Sequence, residues 1–252
     1  MSTGQIILIV WLSYALLFTL AIWRSAPQGR RTARMSLGKD RPLRLLIIGA
    51  TGGTGQQLVD QALKLGHEVT ALARDPAKLS LQDPKLRVVQ GDVLVPATLA
   101  PAMQGKDAVL CALGHKRFLG PTTILSQGTA NIVRAMQEAG VPRFVCESSL
   151  ALGNTAGRGG LVATFFVYPL ILPFYVWDKL RQEKIIEASD LDWIIVRPAA
   201  LTNGPARGEY RHGPNVGSYF LPVRISRADV ADFMLRQLHD DQYLGSAVGL
   251  SY

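Results

Sequence analysis

The sequence is poor in cysteine, and its first 23 residues carry no charged side chain. Two cysteines in 252 residues are too few for the disulfide scaffold on which many small secreted proteins depend. Cys111 and Cys146 both lie in apolar, strand-like runs. We therefore interpret them as core thiols of a protein in a reducing compartment.

Beyond one short segment, the chain also lacks a large excess of positive charge. Residues 24–44 contain seven basic residues and one acidic residue, which accounts for +6 of the net charge of +8. The remainder of the chain therefore carries only +2. A nucleic-acid-binding surface spreads its positive charge over the folded domain, so the composition argues against a nucleic-acid partner.

The uncharged run at residues 6–23 is long enough to cross a membrane. Its eighteen residues, IILIVWLSYALLFTLAIW, would span roughly 27 Å as a helix, which is close to the thickness of the hydrocarbon core. Trp23 stands at the end of the run, where an interfacial aromatic residue is typical. We predict a transmembrane anchor at 1–23 and a basic juxtamembrane linker at 24–42.

The flanking charges predict the orientation of this anchor. No Lys or Arg precedes the run and many follow it, so the positive-inside tendency places residues 24–252 in the cytoplasm. A cleaved signal peptide is the alternative interpretation. Such peptides usually have a basic n-region and a small-x-small cleavage site, but residues 1–5 contain no basic residue and no A-x-A precedes Arg24. We favour a single-pass membrane protein.

From Leu43 onward, short apolar runs alternate with helical patterns. Strands separated by helix-length segments imply βαβ units, and nearly continuous apolar strands imply a sheet covered on both faces. We predict an α/β fold, a Rossmann doubly wound parallel sheet, in one domain at 43–252. The predicted strands are 43–48, 68–73, 86–89, 108–111, 143–146, 193–196 and 247–250, and the predicted helices are 54–65, 98–103, 124–139, 177–189 and 227–238.

A glycine-rich turn, GATGGTG, joins the first predicted strand to the first predicted helix. Its spacing is G-x-x-G-x-x-G rather than the more usual G-x-G-x-x-G. Glycine lets the backbone approach a pyrophosphate, and the helix N-terminus offers unpaired N–H groups and a partial positive charge. A glycine turn without a ligand is the alternative. We predict a dinucleotide in contact with Gly49, Thr51, Gly52, Gly53, Thr54 and Gly55.

The end of the second predicted strand bears on which dinucleotide binds. NAD sites usually carry an acid there, whereas an arginine accommodates the 2′-phosphate of NADP. Residues 70–73 contain no acid, and Arg74 follows nineteen residues after Gly55. We predict NADP(H), with NAD as the alternative because Asp75 is adjacent.

Seven motifs follow one another along the chain in an order that is typical of one protein superfamily. They are GATGGTG, VTALARDPAKL, Gly91-Asp92-Val93, the ALG at 112–114, Lys179 with Glu183, LDWIIVRPAALTNGP and SRADVADFML. Over residues 43–252 the chain resembles the atypical short-chain dehydrogenase/reductase superfamily, in its NAD(P)H-binding, NmrA-like and biliverdin/flavin reductase-like branch.

The resemblance implies roles for five further residues. Asp92 and Val93 would contact the adenine, whereas Leu113 and Gly114 would pass close to the cofactor ribose. Pro198 would lie near the nicotinamide. Many members of the superfamily use a Ser–Tyr–Lys triad, in which Tyr transfers the proton, Lys lowers its pKa and Ser orients the substrate oxygen.

Tyr175 and Lys179 have the Y-x-x-x-K spacing of such a triad. On a helix these side chains share a face, and an ammonium beside a phenol favours the phenolate. Ser149, or Ser148 beside it, follows a predicted strand and would be the third member. The alternative is that Lys179 binds only the cofactor ribose, because Tyr175 falls in an apolar stretch that varies in this branch.

A second uncharged run, LVATFFVYPLILPFYVW, occupies residues 161–177. Pro169 and Pro173 interrupt it and argue against a spanning helix. It either packs against the protein's own core or forms an interfacial lid that dips into the bilayer. The superfamily places its substrate lid in this position.

The leading functional hypothesis is an NADPH-dependent oxidoreductase that transfers hydride to a small carbonyl or conjugated acceptor, lipophilic if the lid is interfacial. The alternative is a non-catalytic NADP(H)-binding redox sensor or a scaffold for a membrane complex, because fold alone does not determine function. We predict a small-molecule substrate, contact with the membrane, and no metal.

Overall fold

The computed structural model describes residues 2–26, 37, 41–115, 118 and 120–252. The six α-helices among these residues are α1 (Thr3–Trp23), α2 (Gly53–Lys64), α3 (Ala100–Met103), α4 (Ile124–Ala139), α5 (Pro173–Glu187) and α6 (Arg227–Arg236). The strands are β1 (Arg44–Ile48), β2 (Glu68–Ala73), β3 (Leu86–Gln90), β4 (Ala108–Cys111), β5 (Arg143–Glu147), β6 (Asp192–Pro198), β7 (Ala200–Thr202), β8 (Arg211–Gly213), β9 (Arg224–Ser226) and β10 (Ser246–Ser251).

Eight of the strands form one sheet in the order β3-β2-β1-β4-β5-β6-β10-β8. Seven of them are parallel, and the chain reverses its direction of winding between β1 and β4. This arrangement confirms the predicted α/β class and the Rossmann sheet. The carboxyl ends of β1 and β4 meet at the crevice where such sheets bind their ligands.

One edge of the predicted parallel sheet carries an additional antiparallel strand. Residues Arg211–Gly213 pair antiparallel with the last strand, through Leu250 opposite His212. A second, two-stranded sheet joins β7 to β9. The sequence analysis missed these three strands because each has only three residues, too few to show a hydrophobic period.

Helices cover both faces of the main sheet. Alternate residues of β1 point to opposite sides, so Leu45 and Ile47 pack with α2 and α6 whereas Leu46 and Ile48 pack with α3 and α4. Both faces of the strand are buried, as the continuous apolar run predicts.

The second apolar run has a form that the sequence analysis did not predict. Residues Ala163–Ile171 are a π-helix, and α5 begins at Pro173 rather than at Trp177. Proline fits the first turn of a helix because its missing N–H has no partner there in any case. The run therefore enters α5 without a loop.

The N-terminal helix α1 is long and apolar enough to cross a membrane, by length and composition. A signal sequence would satisfy the same criteria. Its side chains are mostly exposed, but Phe18 and Ile22 are buried against Leu152, Val176 and Leu180. Residues 27–36 and 38–40 of the predicted linker lie outside the described residues.

Candidate cofactor and catalytic site

The glycine-rich turn lies at the carboxyl end of β1 and enters α2. Gly49 has a φ of +80°, in the left-handed region that favours glycine. A side chain at Gly49 would collide with the carbonyl of Ala112, and one at Gly55 would collide with the carbonyl of Gly49. Two of the three motif glycines are therefore required by close backbone packing, and the space above the turn is where a ligand is expected.

The first turn of α2 faces this space. Gly52 is its N-cap residue, and among the described residues no side chain caps the helix. The N–H groups of the first turn thus have the arrangement that binds a phosphate. The residues present fit a dinucleotide pyrophosphate, with Thr51 and Gly53 at the same turn.

Arg227, which the sequence analysis missed, lies against this turn. It opens α6, and a methyl group added at Gly53 would lie only 2.6 Å from its Cδ. The guanidinium donates to Asn203 Oδ1 at 2.6 Å. A second positive group is therefore held beside the helix N-terminus where the pyrophosphate is expected.

Glu147 is the second residue that the sequence analysis missed. It ends β5, is buried, and accepts a hydrogen bond from the Thr54 hydroxyl at 3.2 Å. The side chain of Thr54 therefore points inward, so this residue can meet a cofactor only through its backbone. Burial raises the pKa of the Glu147 carboxyl, although Lys179, Thr54 and Arg227 oppose the shift.

Arg74 lies directly after β2 and its side chain is exposed at the expected position of the adenosine ribose. The carboxylate of Asp75 is engaged elsewhere, because it accepts from the backbone N–H of Ala77 at 3.2 Å and pairs with Lys78 at 3.5 Å. An acid turned toward its own loop is poorly placed to bind a ribose hydroxyl. The geometry favours the arginine.

Asp92 and Val93 form a turn after β3. Asp92 Oδ1 accepts from Leu94 N at 2.9 Å, and Asn131 donates to the carbonyl of Val93 at 2.8 Å. A methyl group at Gly128 would lie 2.7 Å from Val93 Cγ2. The helix α4 therefore fixes the turn that the resemblance assigns to adenine.

The remaining predicted cofactor residues follow the ends of β4 and β6. Leu113 is half-buried and Gly114 is exposed, in open space. Pro198 ends β6, and its carbonyl accepts from Leu150 N at 2.8 Å. Together with the glycine-rich turn, these residues line the carboxyl edge of the sheet, where the topology predicts a ligand.

Lys179 is almost fully buried and binds the ends of two strands. Its ammonium donates to the carbonyl of Glu147 at 3.0 Å and to that of Leu113 at 3.5 Å. Burial, the largest single influence, lowers the pKa of Lys179, but the acidic side chains around it, first among them Tyr175, together raise that pKa above its ordinary value. The ammonium remains charged at neutral pH.

Tyr175 lies beside this ammonium. The Nζ of Lys179 is 5.9 Å from the centre of the Tyr175 ring. Ser149 is half-buried and donates to the Leu150 carbonyl at 3.2 Å. Ser148 instead donates to Glu183 at 2.6 Å and is buried in a different network. Of the two candidate serines, Ser149 is the one not bound to Glu183.

His115 and Phe118 close the other side of the Tyr175 ring. The ring centres of His115 and Tyr175 are 5.1 Å apart, and those of Phe118 and Tyr175 are 5.9 Å apart. His115 Nε2 lies 4.0 Å from Asp178, whose carboxylate caps the start of α4 through Leu125 N at 2.9 Å. The ring of Tyr175 is thus bordered by an imidazole and by an aromatic side chain.

An ion pair inside the protein sets the position of α5. Arg197 of β6 makes a bidentate contact with Glu183, at 2.9 Å and 2.7 Å, and donates to Asn154 at 2.6 Å. Both charged side chains are buried. Since Glu183 lies one turn after Lys179, this pair fixes the helix that carries Tyr175 and Lys179.

The chain matches the family model for NAD(P)H-binding proteins over residues 49–241. It is 33% identical to an uncharacterized chloroplastic protein of Arabidopsis thaliana over 79% of this chain and 73% of that protein. It is 30% identical to the photosystem II assembly factor Ycf39 of Synechocystis, covering 72% of this chain and about half, 49%, of that factor. Other curated relatives are named as dehydrogenases and reductases.

A solved structure with the same fold is a short-chain dehydrogenase/reductase of Veillonella parvula in complex with NADP. Its TM-score is 0.69 at 20% identity, with 84% of this chain and 95% of that chain covered. At this identity the likeness supports the fold alone.

Proposed function

The chain belongs to the family of NAD(P)H-binding proteins, and on that premise we propose that it is a membrane-anchored, NADPH-dependent oxidoreductase. The observation that carries the proposal is the placement of Tyr175 and Lys179 at the same sheet edge as the glycine-rich turn. In this proposal the cofactor site and the group that transfers the proton would be adjacent.

Four groups would hold the cofactor. The first turn of α2 would bind the pyrophosphate, with Arg227 supplying additional positive charge, and Arg74 would bind the 2′-phosphate. Lys179, which has one N–H beyond the two given to backbone carbonyls, would donate to the nicotinamide ribose. The bound nicotinamide would supply the hydride.

Tyr175 would supply the proton that balances this hydride. Reduction of a carbonyl adds hydride to its carbon and a proton to its oxygen, so an acid must stand beside the oxygen. The phenol lies next to the Lys179 ammonium, which stabilises the phenolate left after proton transfer. Ser149 would orient the carbonyl oxygen.

The acceptor we propose is a small, lipophilic carbonyl or conjugated compound. Tyr175 is flanked by Phe118 and lies on the helix that packs against α1, through Trp177 and Phe18 with ring centres 5.6 Å apart. A site adjoining an apolar helix suits an acceptor that partitions into the membrane. The anchor places the enzyme domain on the cytoplasmic face.

NADPH turnover by the purified full-length protein tests the enzyme directly. The acceptor panel contains carbonyl, flavin and quinone compounds, and binding of NADPH is measured in parallel by calorimetry. Turnover with an acceptor from the panel supports the proposal. Tight NADPH binding without turnover of any acceptor favours the second candidate, a cofactor-binding scaffold or sensor. The similarity to an assembly factor supports this candidate.

Membrane washing tests the anchor separately. We expect the full-length protein to stay in membranes through high-salt and alkaline washes, because salt screens basic residues but does not extract a spanning helix. Release by the wash contradicts the anchor. Protease added on the cytoplasmic side should digest the domain, and protection of residues 24–252 contradicts the orientation.

A further inference from the structure

The segment between Arg158 and Asp178 runs along α1 between two ends in the Rossmann domain, and Tyr168 ties its middle back to that domain through a hydrogen bond to the Leu150 carbonyl at 3.4 Å. The segment contains no charged residue. Three contacts mark its path: Phe166 packs on Trp11 with ring centres 6.3 Å apart, the carbonyl of Pro169 accepts from the Tyr14 hydroxyl at 3.4 Å, and Trp177 packs on Phe18. As the chain advances from 166 to 177, its partner on α1 moves toward the C-terminal end of that helix.

The segment also begins near that C-terminal end. A methyl group added at Gly157 would lie 4.0 Å from Cγ2 of Thr19. The path therefore starts beside Thr19, reaches Trp11 at Phe166, and comes back to Phe18 at Trp177. It is an excursion along the anchor with both ends at one level and its tip at another.

The position of each contact along α1 gives the depth in the bilayer at which the segment would lie. If α1 spans the bilayer with Trp23 at the headgroups, as the proposed function has it, Trp11 lies roughly 18 Å deeper at 1.5 Å per residue. Half the hydrocarbon thickness is about 15 Å, so Phe166 would lie near the bilayer centre. Thr19, and Gly157 beside it, would lie only roughly 6 Å below the headgroups.

The exposed side chains of the excursion match such an environment. Its large apolar residues face outward, and Leu170 is 55% exposed. The others exposed are Leu161, Val162, Phe166, Ile171, Phe174 and Trp177. A continuous apolar surface of this kind marks contact with a membrane or a partner. Because it continues the surface of α1, the occupant that covers both is the bilayer.

Backbone groups at the tip have the internal partners that hydrocarbon demands. The π-helix supplies its own hydrogen bonds. The Tyr14 hydroxyl donates to the carbonyl of Pro169, the proline inside this helix. Nearer the start of the segment, the single proton of the Thr164 hydroxyl is shared between the carbonyls of Gly157 and Gly160, at 3.1 Å and 2.9 Å. Non-helical backbone is tolerated at membrane depth when its polar groups are satisfied in this way.

A second loop borders the neck of the excursion. Phe220 and Leu221 are 73% and 69% exposed, and the Phe220 carbonyl accepts from Leu161 N at 3.4 Å. Tyr219 lies beside Gly157 and under the guanidinium of Arg158, which is 5.0 Å from its ring centre. An arginine–tyrosine pair with exposed apolar neighbours is typical of the headgroup boundary.

We infer that residues 161–171 form a re-entrant wedge that inserts beside α1 to about the middle of the bilayer, with the loop 219–221 at the headgroup boundary. The inference rests on the anchor of the proposed function. Tyr175 lies on the returning limb, so an acceptor dissolved in the membrane would approach it along this limb.

Site-directed spin labelling of the full-length protein in phosphatidylcholine–phosphatidylglycerol vesicles tests the wedge. Single cysteines are introduced at Leu170, at Val10 of α1 and at Leu65 of the Rossmann domain, which are 55%, 63% and 63% exposed. The native cysteines are both buried, so the introduced thiol is the one labelled. Retained NADPH binding shows that each variant is folded, and Ile171→Cys, at a residue that is 53% exposed, replaces Leu170→Cys if that variant is not.

Accessibility to oxygen, which concentrates in hydrocarbon, and to a water-soluble nickel chelate is then compared. Labels at 170 and 10 both protected from nickel and exposed to oxygen, with the label at 65 showing the reverse, support the wedge. A label at 170 that behaves like 65 while 10 stays in hydrocarbon overturns the wedge and leaves the anchor standing. A label at 10 in water overturns the anchor and the wedge together.

Discussion

The ammonium of Lys179 lies 5.9 Å from the centre of the Tyr175 ring, one helical turn further along α5, and donates to the carbonyl of Glu147 at the end of β5. One cation therefore joins the helix of the proposed proton donor to the sheet edge where the nicotinamide is expected. The two residues should consequently respond differently to substitution.

We expect Tyr175→Phe to lower kcat by about 10²–10⁴-fold while leaving NADPH affinity nearly unchanged, because it removes only the acidic hydroxyl. Lys179→Ala should damage both turnover and NADPH binding, since in the proposed site its ammonium would serve both the phenol and the ribose. Steady-state kinetics with an acceptor found in the panel, together with calorimetry, make the comparison. Full activity of Tyr175→Phe would show that another group delivers the proton.

Substitutions of Arg74 and Arg227, the two arginines of the proposed cofactor site, should affect the affinities for NADPH and NADH differently. We expect Arg74→Ala to weaken NADPH binding by about 1.5–3 kcal/mol and NADH binding little, because only NADPH carries the 2′-phosphate. Arg227→Ala, beside Gly53, should weaken both cofactors alike, because both carry the pyrophosphate. Calorimetric titration of each variant with each cofactor is the measurement. Equal affinity of the unmodified protein for NADH and NADPH would contradict the role of Arg74.

The buried pair of Arg197 and Glu183 should matter far more for stability than an exposed pair of the same length. Arg197→Met leaves a buried carboxylate without its partner and should lower the free energy of unfolding by about 3–5 kcal/mol. Lys64→Met is the matched control, because Lys64 and Asp60 also meet at 2.7 Å but are exposed, and its effect should be about 0.3–0.5 kcal/mol. Urea unfolding of the full chain in detergent, followed by circular dichroism, gives both values. Similar losses for the two variants would refute the structural role of the buried pair.

Glu147 should make the protein less stable as the pH rises. Its folded-state pKa lies above the ordinary value of 4.5, chiefly through burial, so the folded protein binds more protons than the unfolded chain between those two values. The contribution of the Glu147 carboxyl to the free energy of unfolding is therefore fully present below pH 4.5 and declines as the pH rises through the raised pKa. Glu147→Gln keeps an acceptor for Thr54 and should flatten this decline, so its Tm relative to the unmodified protein should increase with pH. A Tm difference independent of pH would contradict a buried, titrating carboxyl at 147.

Local patterns were sufficient to predict the Rossmann core. Strand β1, the glycine-rich turn and α2 follow one another within residues 44–64, so their periodicity and glycine spacing carry the fold without distant contacts. The sheet order confirms this part of the fold. The role of Arg74 rests on its place directly after β2 and stays a prediction.

Arg227 could not be assigned in this way because its place beside the glycine-rich turn depends on a tertiary contact. Arg227 reaches Gly53 from a helix near the other end of the chain, and nothing in its own neighbourhood marks that contact. For Glu147 a signal existed, since an acid that ends the apolar strand RFVCE is unusual. Likewise, Trp11, Tyr14 and Phe18 recur every three or four residues on α1, a stripe that indicates packing on one face.

The edge-on contact between Phe18 and Trp177 places an evolutionary constraint on the sequence of α1. A helix that served only as a tether could exchange its residues for other apolar ones during evolution, since any run of the right length and hydrophobicity would hold it in a bilayer. A helix docked against the segment that carries Tyr175 cannot change in that way. Among related sequences that retain α1, changes at position 18 should therefore be accompanied by compensating changes at 177, and a chimaera carrying an unrelated anchor should remain in the membrane but lose thermal stability.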